Sequence, residues 1–96
     1  MERAPSLMSN CEVCWFCHRT PVVLHHIYFG TGRRDISDRE GAWVYLCPHH
    51  HNTSNNGVHH NKGMDLILKR ECQKRWMIAN DATVEDFIKV FSKNYL

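Results

Sequence analysis

The sequence predicts a small α+β domain in which a β-hairpin and a short helix precede two C-terminal helices. Runs rich in β-branched and aromatic residues over 22–29 and 42–46 predict the two strands of the hairpin. Apolar side chains recur every four residues over 64–79, which places them on one face of a helix. All of the histidines, and most of the cysteines, lie in the first sixty residues, so the two halves of the chain differ in chemistry.

The remaining elements follow from turn and capping residues. The stretch 30–41 is rich in glycine and charged residues, which predicts a polar loop between the strands. A short helix is expected over 49–55, and Gly57 with the asparagine before it would end that helix. The final helix is expected to begin after Thr83, which resembles a capping box with Asp86.

The chain is expected to form a single domain after a flexible leader over 1–10. Residues 11–63 hold a cysteine-rich knuckle, the hairpin and the short helix, and 64–96 form the helical part. A chain of 96 residues is near the low end of what folds alone. Such a small core often needs a metal ion or disulfides for stability.

Composition excludes several classes of protein. Hydrophobic residues make up 43% and charged residues 23%, which is typical of a globular rather than a disordered chain. No apolar stretch is long enough to span a membrane, and the first ten residues lack the apolar run of a signal peptide. We therefore expect a cytoplasmic protein, whose cysteines are thiols or metal ligands rather than disulfides. The net charge of +2 permits contact with nucleic acid without requiring it.

Two pairs of residues have the spacing of zinc ligands. Cys14 and Cys17 form a Cys-x-x-Cys knuckle, and Cys47 and His50 repeat that spacing some thirty residues later. Zinc prefers four thiolate or imidazole ligands in a tetrahedron, commonly as two close pairs from separate segments. The sequence therefore predicts a structural zinc ion that ties the knuckle to the far end of the hairpin.

Two alternatives to this ligand set remain open. Cys11 and Cys14 have the same spacing as Cys14 and Cys17, so the knuckle could be displaced by one pair. His49 could likewise replace His50 in the second pair.

A histidine pair follows the knuckle. His25 and His26 lie in the first predicted strand, where neighbouring side chains point to opposite faces unless a bulge or the strand end intervenes. His51 comes directly after the second zinc pair, so a metal bound to His50 would fix its orientation. His59 follows eight residues later.

The order and spacing of these motifs resemble the zinc-bearing branch of the HNH (ββα-metal) endonucleases. The residues that carry the resemblance are Cys14-x-x-Cys17, Leu24-His25-His26-Ile27 and Leu46-Cys47-Pro48-His49-His50-His51-Asn52. The rest of the chain to Leu96 is similar to small phage-encoded HNH proteins. The resemblance thus implies a ββα-metal core and hydrolysis of phosphodiester bonds in DNA.

The resemblance also implies a role for each histidine. His25 would be a ligand of a divalent ion, and His26 would be the general base that activates water. His51 would be a second ligand, and either His59 or Asn55 would complete the site. A Mg²⁺ or Mn²⁺ ion would bind the scissile phosphate there, and an imidazole with an ordinary pKa of about 6.5 can accept a proton at cellular pH.

One position departs from the family pattern. The family has an asparagine on the second strand that helps to position the base, but residues 41–45 contain none. Asn52 or another group would have to substitute for it. The alternative function is a non-catalytic zinc-ribbon module that binds nucleic acid or a replication or recombination partner.

Contacts with DNA are expected from Arg33 and Arg34 in the inter-strand stretch, where they could meet phosphates near the metal. A homodimer would suit cleavage of both strands, although no residue requires it.

Overall fold

Two four-residue strands form the small sheet that carries His25 and His26. The computed structural model describes residues 3–30 and 32–96. Strand β1 spans Val23–His26 and strand β2 spans Trp43–Leu46, and they pair antiparallel with His26 opposite Trp43. Both predicted strands are found, although β1 ends at His26 rather than at Phe29, and with the helices they confirm a small α+β fold.

The connection between the strands contains a helix that the sequence does not predict. Helix α1 spans Arg33–Glu40, so the prediction of a polar loop over 30–41 is wrong for these residues. An apolar stripe is the usual signal of an amphipathic helix, and this helix has almost none. It is anchored instead by the buried Ser37, whose hydroxyl donates a hydrogen bond of 2.7 Å to the Tyr28 carbonyl.

Three further helical elements follow β2. A five-residue π-helical segment, His49–Thr53, stands where a short helix was predicted over 49–55. Helix α2 spans Lys62–Ala79 and begins two residues before the predicted start, because the Asn61 side chain caps it. Helix α3 spans Val84–Phe91. Within the described part of the chain, no helix combines the length and apolar character needed to cross a membrane.

The predicted capping box at the start of α3 is confirmed. The Thr83 hydroxyl accepts a hydrogen bond of 3.2 Å from the Asp86 backbone N–H. In return the Asp86 carboxylate accepts one of 3.0 Å from the Thr83 N–H. Two N–H groups that a helix start leaves without partners are thereby satisfied.

Aromatic side chains join the sheet to the C-terminal helices. Tyr28, two residues beyond β1, has its ring centroid 4.7 Å from that of Phe91 on α3. The predicted apolar face of α2 is confirmed, since Leu68, Cys72 and Trp76 are all buried. The end of β1 is therefore held by the same core that packs the two helices together.

The N-terminal segment, residues 3–10, lies against β2 and α1, which differs from the flexible leader predicted over 1–10. The Leu7 N–H donates a hydrogen bond of 2.9 Å to the Gly41 carbonyl. A Cβ atom at Gly41 would collide with the Pro5 carbonyl, and its φ of 76° also favours glycine. Outside the described residues lie Met1 and Glu2 of the predicted leader and Thr31 of the predicted loop.

Replacing Tyr28 with Phe tests the link between β1 and α2. The Tyr28 hydroxyl donates a hydrogen bond of 2.7 Å to the Lys69 carbonyl, and burial raises the pKa of the phenol, so it remains a donor. We expect the free energy of unfolding, measured with urea, to fall by about 1 kcal/mol. Tyr45→Phe is the matched control, because the ring of Tyr45 is only half-buried. An equal loss in both variants would contradict the assigned role of the hydroxyl.

Candidate functional site

The structure brings together the four residues predicted to bind zinc. The ligand atoms of Cys14, Cys17, Cys47 and His50 all lie within 4.8 Å of one another. The Cys17 and Cys47 sulfurs are 3.6 Å apart, and His50 Nδ1 lies 3.3 Å from the Cys47 sulfur. Tetrahedral bonds of about 2.0–2.3 Å require ligand separations of this size. These four side chains, called the Cys/His cluster below, can therefore hold a metal ion such as zinc.

Local backbone structure presents the knuckle sulfurs to this cluster. The Cys14 N–H donates to the Arg19 carbonyl at 3.0 Å, which closes the turn. The Trp15 N–H donates to the Tyr45 carbonyl at 2.9 Å and attaches the turn to β2. His18 adopts a left-handed backbone conformation with a φ of 61°, which reverses the chain after Cys17. The knuckle is thus held beside the end of the strand that supplies the second ligand pair.

Both alternatives to this ligand set lie outside the cluster. Cys11 and His49 are exposed, and neither belongs to the group whose ligand atoms converge. Burial alone would raise the pKa of Cys14, but backbone hydrogen bonds from Cys47, Cys17 and Phe16 outweigh it and lower that pKa. Thiolate, the form that binds metals, is therefore favoured at Cys14.

A second group, called the three-histidine cluster below, is formed by His25, His51 and His59. Their ligand nitrogens also lie within 4.8 Å of one another. The Nε2 atoms of His51 and His59 face each other at 3.1 Å. The His25 ring centroid lies 5.4 Å from that of His51 and 5.2 Å from that of His59. Three imidazoles converging on one point form a set of nitrogen donors for a metal ion.

His25 gives the clearest indication that this cluster could bind a metal ion. It is 3% exposed, and its Nε2 atom is buried without a hydrogen-bond partner among the described residues. Burial, followed by the nearby His51 and His59, lowers the pKa of His25 to about 3. The ring is therefore neutral at pH 7 and has a lone pair available. A buried polar nitrogen without a partner is costly unless a ligand satisfies it, so this atom fits a metal site.

The turn at Gly57 brings His59 to His51. The Val58 N–H donates to the His50 carbonyl at 2.8 Å, and the His59 N–H donates to the His51 carbonyl at 3.2 Å. A Cβ atom at Gly57 would lie 2.9 Å from the His51 carbonyl oxygen, so this close approach requires glycine. The segment folds back because position 57 has no side chain.

Of the two candidates for the third ligand, the structure places His59 in the cluster and leaves Asn55 outside. In a continuous helix Asn55 would lie one turn after His51 and share its face. However, the π-helical segment ends at Thr53, and Ser54 is extended, so this register is lost. Asn55 is exposed and does not line the cavity at the cluster.

A cavity of about 260 Å³ lies over the three-histidine cluster. It is lined by His25, His51 and His59 and also by Leu24, His26, Phe29 and Arg34. Because His26 is the last residue of β1, the strand end lets both members of the pair reach this cavity. Arg34 lines the cavity from α1, whereas Arg33 does not. Of the two arginines predicted to contact phosphates, only Arg34 is therefore placed beside the clustered histidines.

Sequence reasoning missed Asp38, which contacts His26. The Asp38 carboxylate accepts a hydrogen bond of 2.8 Å from His26 Nε2. Asp38 lies four residues after Arg34, so the two share one face of α1. That spacing was visible in the sequence, but it becomes a signal only once residues 33–40 are known to be helical.

Comparison of the sequence with protein-family models, with curated proteins and with solved structures found no match. A functional assignment therefore rests on the geometry of the two clusters.

Replacing Cys17 with Ser tests the Cys/His cluster. We expect the variant to lose one equivalent of zinc relative to the unaltered protein, because a thiolate ligand is removed. We also expect the cooperative thermal unfolding transition to disappear, because binding of a structural metal is coupled to folding. Elemental analysis and circular dichroism measure the two effects.

Cys11→Ser is the matched control, since Cys11 is exposed and outside the cluster. It should retain both the zinc content and the transition. Zinc loss in Cys11→Ser, with zinc retained in Cys17→Ser, would show that the knuckle uses the other pair of cysteines.

Replacing Gly57 with Ala tests the three-histidine cluster. The added Cβ should displace His59, and we expect the affinity of zinc-loaded protein for Ni²⁺ to fall about 10- to 100-fold. Isothermal titration calorimetry measures this affinity. Gly63→Ala is the control, because a Cβ there meets only the Asn61 side chain, at 3.3 Å. Unchanged Ni²⁺ affinity in the Gly57 variant would show that metal binding does not depend on this turn.

Proposed function

We propose that this protein is a metal-dependent endonuclease of the HNH type that hydrolyses phosphodiester bonds in DNA. One observation carries the proposal: a cluster of three converging histidines shares a cavity with a fourth histidine and with an arginine. A metal site, a base and a phosphate-binding cation are the groups that this hydrolysis needs.

The three-histidine cluster is the proposed catalytic metal site. Three imidazole ligands would leave coordination positions open for water and for phosphate oxygens. When bound there, a divalent ion supplies positive charge to the scissile phosphate and to the leaving 3′ oxygen. Imidazole suits zinc, iron or nickel, whereas Mg²⁺ and Mn²⁺ prefer oxygen ligands, so activity should be measured across a series of ions.

His26 is the proposed general base. It is adjacent to His25 in the chain, lies at the same cavity and remains partly accessible, with 23% of its side chain exposed. A water molecule in the cavity can therefore transfer its proton to the imidazole while it attacks phosphorus. His26 contacts the Asp38 carboxylate and is not part of the converging metal-ligand group, so its role differs from that of His25.

Arg34 is the proposed phosphate contact. Its guanidinium lies on a helix beside the cavity and can bind two phosphate oxygens at once. This contact would orient the DNA backbone without reading its sequence.

The Cys/His cluster has a supporting role in this proposal. His50 belongs to that cluster and His51 belongs to the other, so the two proposed metal sites are joined by one peptide bond. Zinc bound at His50 would fix the backbone from which His51 projects. The zinc would therefore position one catalytic ligand without touching the substrate.

Nicking of supercoiled plasmid tests the proposal. Zinc-loaded protein should convert the plasmid to open-circular or linear DNA when Mg²⁺, Mn²⁺ or Ni²⁺ is added. His26→Ala should lower the rate by about 10²- to 10⁴-fold, because it removes the base. The variant should keep its Ni²⁺ affinity, because His26 is outside the metal-ligand group.

His60→Ala is the matched control for this experiment. His60 is exposed, bonds to the Asn52 carbonyl at 2.8 Å and does not line the cavity, so its loss should not change the rate. If well-folded, zinc-loaded protein binds DNA but cleaves it with none of these ions, the nuclease proposal is wrong. The zinc-ribbon binding module then becomes the better description.

A further inference from the structure

Asp38 lies at the centre of a short hydrogen-bonded chain that reaches the cavity. Its Oδ1 atom accepts a hydrogen bond of 2.8 Å from His26 Nε2 and one of 2.7 Å from Arg3 Nε. Asp38 has a side chain that is 25% exposed, so the contact with His26 is partly shielded from water. The three residues come from β1, from α1 and from the N-terminal segment.

The charge of Asp38 settles which atom carries the proton in this contact. Burial alone would raise the pKa of Asp38, but hydrogen bonds from Arg3 and from His26 outweigh it and lower that pKa. A carboxylate only accepts hydrogen bonds, so Nε2 of His26 must be the protonated nitrogen. In the neutral ring the lone pair is then on Nδ1.

We propose that Asp38 is a positioning residue, which holds His26 in the tautomer with a free Nδ1, and that Arg3 holds Asp38 in place. The inference rests on the proposed role of His26 as the general base. Asp38 itself does not line the cavity. A base needs a free lone pair, and with Nε2 bonded to Asp38 only Nδ1 can supply it, so fixing the tautomer and the ring plane raises the fraction of productive molecules.

The sheet offers no such contact to His26 from the opposite strand position. There β2 holds Trp43, whose indole is a donor only and cannot accept a hydrogen bond from the imidazole N–H. The indole N–H donates instead to the Ala4 carbonyl at 2.7 Å. Helix α1 thus supplies the hydrogen-bond acceptor for His26. The proposed base can therefore be oriented although β2 has no asparagine.

The N-terminal segment is held closely enough to place Arg3. The Ala4 N–H donates to the Asp38 carbonyl at 2.9 Å, next to the Arg3–Asp38 contact. The Arg3 guanidinium also lies 5.7 Å from the centre of the Trp43 ring. Backbone and side-chain contacts therefore both hold Arg3 beside Asp38.

The first test reads the tautomer directly and needs no activity. Long-range ¹H–¹⁵N spectra of zinc-loaded protein at about pH 8, where an ordinary imidazole is neutral, report both ring nitrogens of His26. We expect Nε2 to be of the protonated type and Nδ1 of the unprotonated type. In Asp38→Ala the two nitrogens should move towards averaged values, because the acceptor is lost. An unprotonated Nε2 in the unaltered protein would overturn the proposal.

The second test measures cleavage kinetics. Asp38→Ala should lower kcat by about 10- to 100-fold, less than His26→Ala, while KM and Ni²⁺ affinity stay unchanged. Asp38→Asn should recover most of the loss, because Arg3 donates to the same oxygen and so keeps the amide carbonyl facing His26. Arg3→Gln should give an intermediate loss. Asp35→Asn removes a charge from an exposed position of α1 and should have no effect.

The outcomes separate this inference from the function on which it rests. If the protein nicks DNA and Asp38→Ala nicks it equally fast, the positioning role is wrong and the nuclease stands. If Asp38→Ala loses Ni²⁺ affinity in proportion to kcat, Asp38 acts on the metal site and the proposal is also overturned. If no variant cleaves DNA, the spectra of the unaltered protein still decide whether Asp38 sets the tautomer. Asp38→Asn and Arg3→Gln keep the kinetic test decisive should Asp38→Ala fail to fold.

Discussion

Closure of the knuckle onto the end of β2 is the constraint on which the site depends. Cys14 and Cys17 meet Cys47 and His50, which fixes where the chain leaves the second strand. From that point the π-helical segment starts, and its first turn carries His51 towards the buried His25. Without the closure, the short two-stranded sheet would have little to hold its far end, because a pair of strands alone is only marginally stable.

The aromatic core provides the second support, from the opposite end of β1. Tyr28 packs on Phe91 and bonds to α2, so the strand that carries His25 and His26 is anchored immediately after them. The two histidines therefore lie between the Cys/His cluster on one side and a hydrophobic core on the other. The proposed catalytic role would benefit from such rigid placement, because small displacements of reacting groups lower rates strongly.

Features with a local cause could be predicted from the sequence. The two ligand pairs, the apolar face of α2 and the capping box at Thr83 depend on spacings of three or four residues, and all are found in the structure. Helix α1 could not be predicted, because its stability comes from Ser37 and from contacts with distant residues rather than from an apolar stripe. Asp38 was missed for the same reason. The sequence predicts a leader at the N-terminus because its residues do not indicate that the segment packs against β2 and α1.

The choice between His59 and Asn55 shows the same limit. A helix that continued to residue 55 would place Asn55 one turn after His51, whereas the chain leaves the helix at Ser54 and returns through a turn that only glycine allows. Such a return depends on backbone contacts between residues 50–51 and 57–59, which no pattern of side chains encodes.

The spacing of contacts in the first half of the chain has a consequence for its synthesis. Arg3 meets Asp38, Ser9 meets Tyr45 and Cys14 meets His50, at separations of 35, 36 and 36 residues. Residues 3–14 and 38–50 therefore run side by side at the two ends of one long loop. Closing such a loop costs about 3 kcal/mol in chain entropy plus a constant. All four ligands of the Cys/His cluster precede α2 and α3 in the chain and are therefore synthesised before either helix. A metal ion bound to these four side chains would offset the cost of closing the loop without any contribution from the two helices.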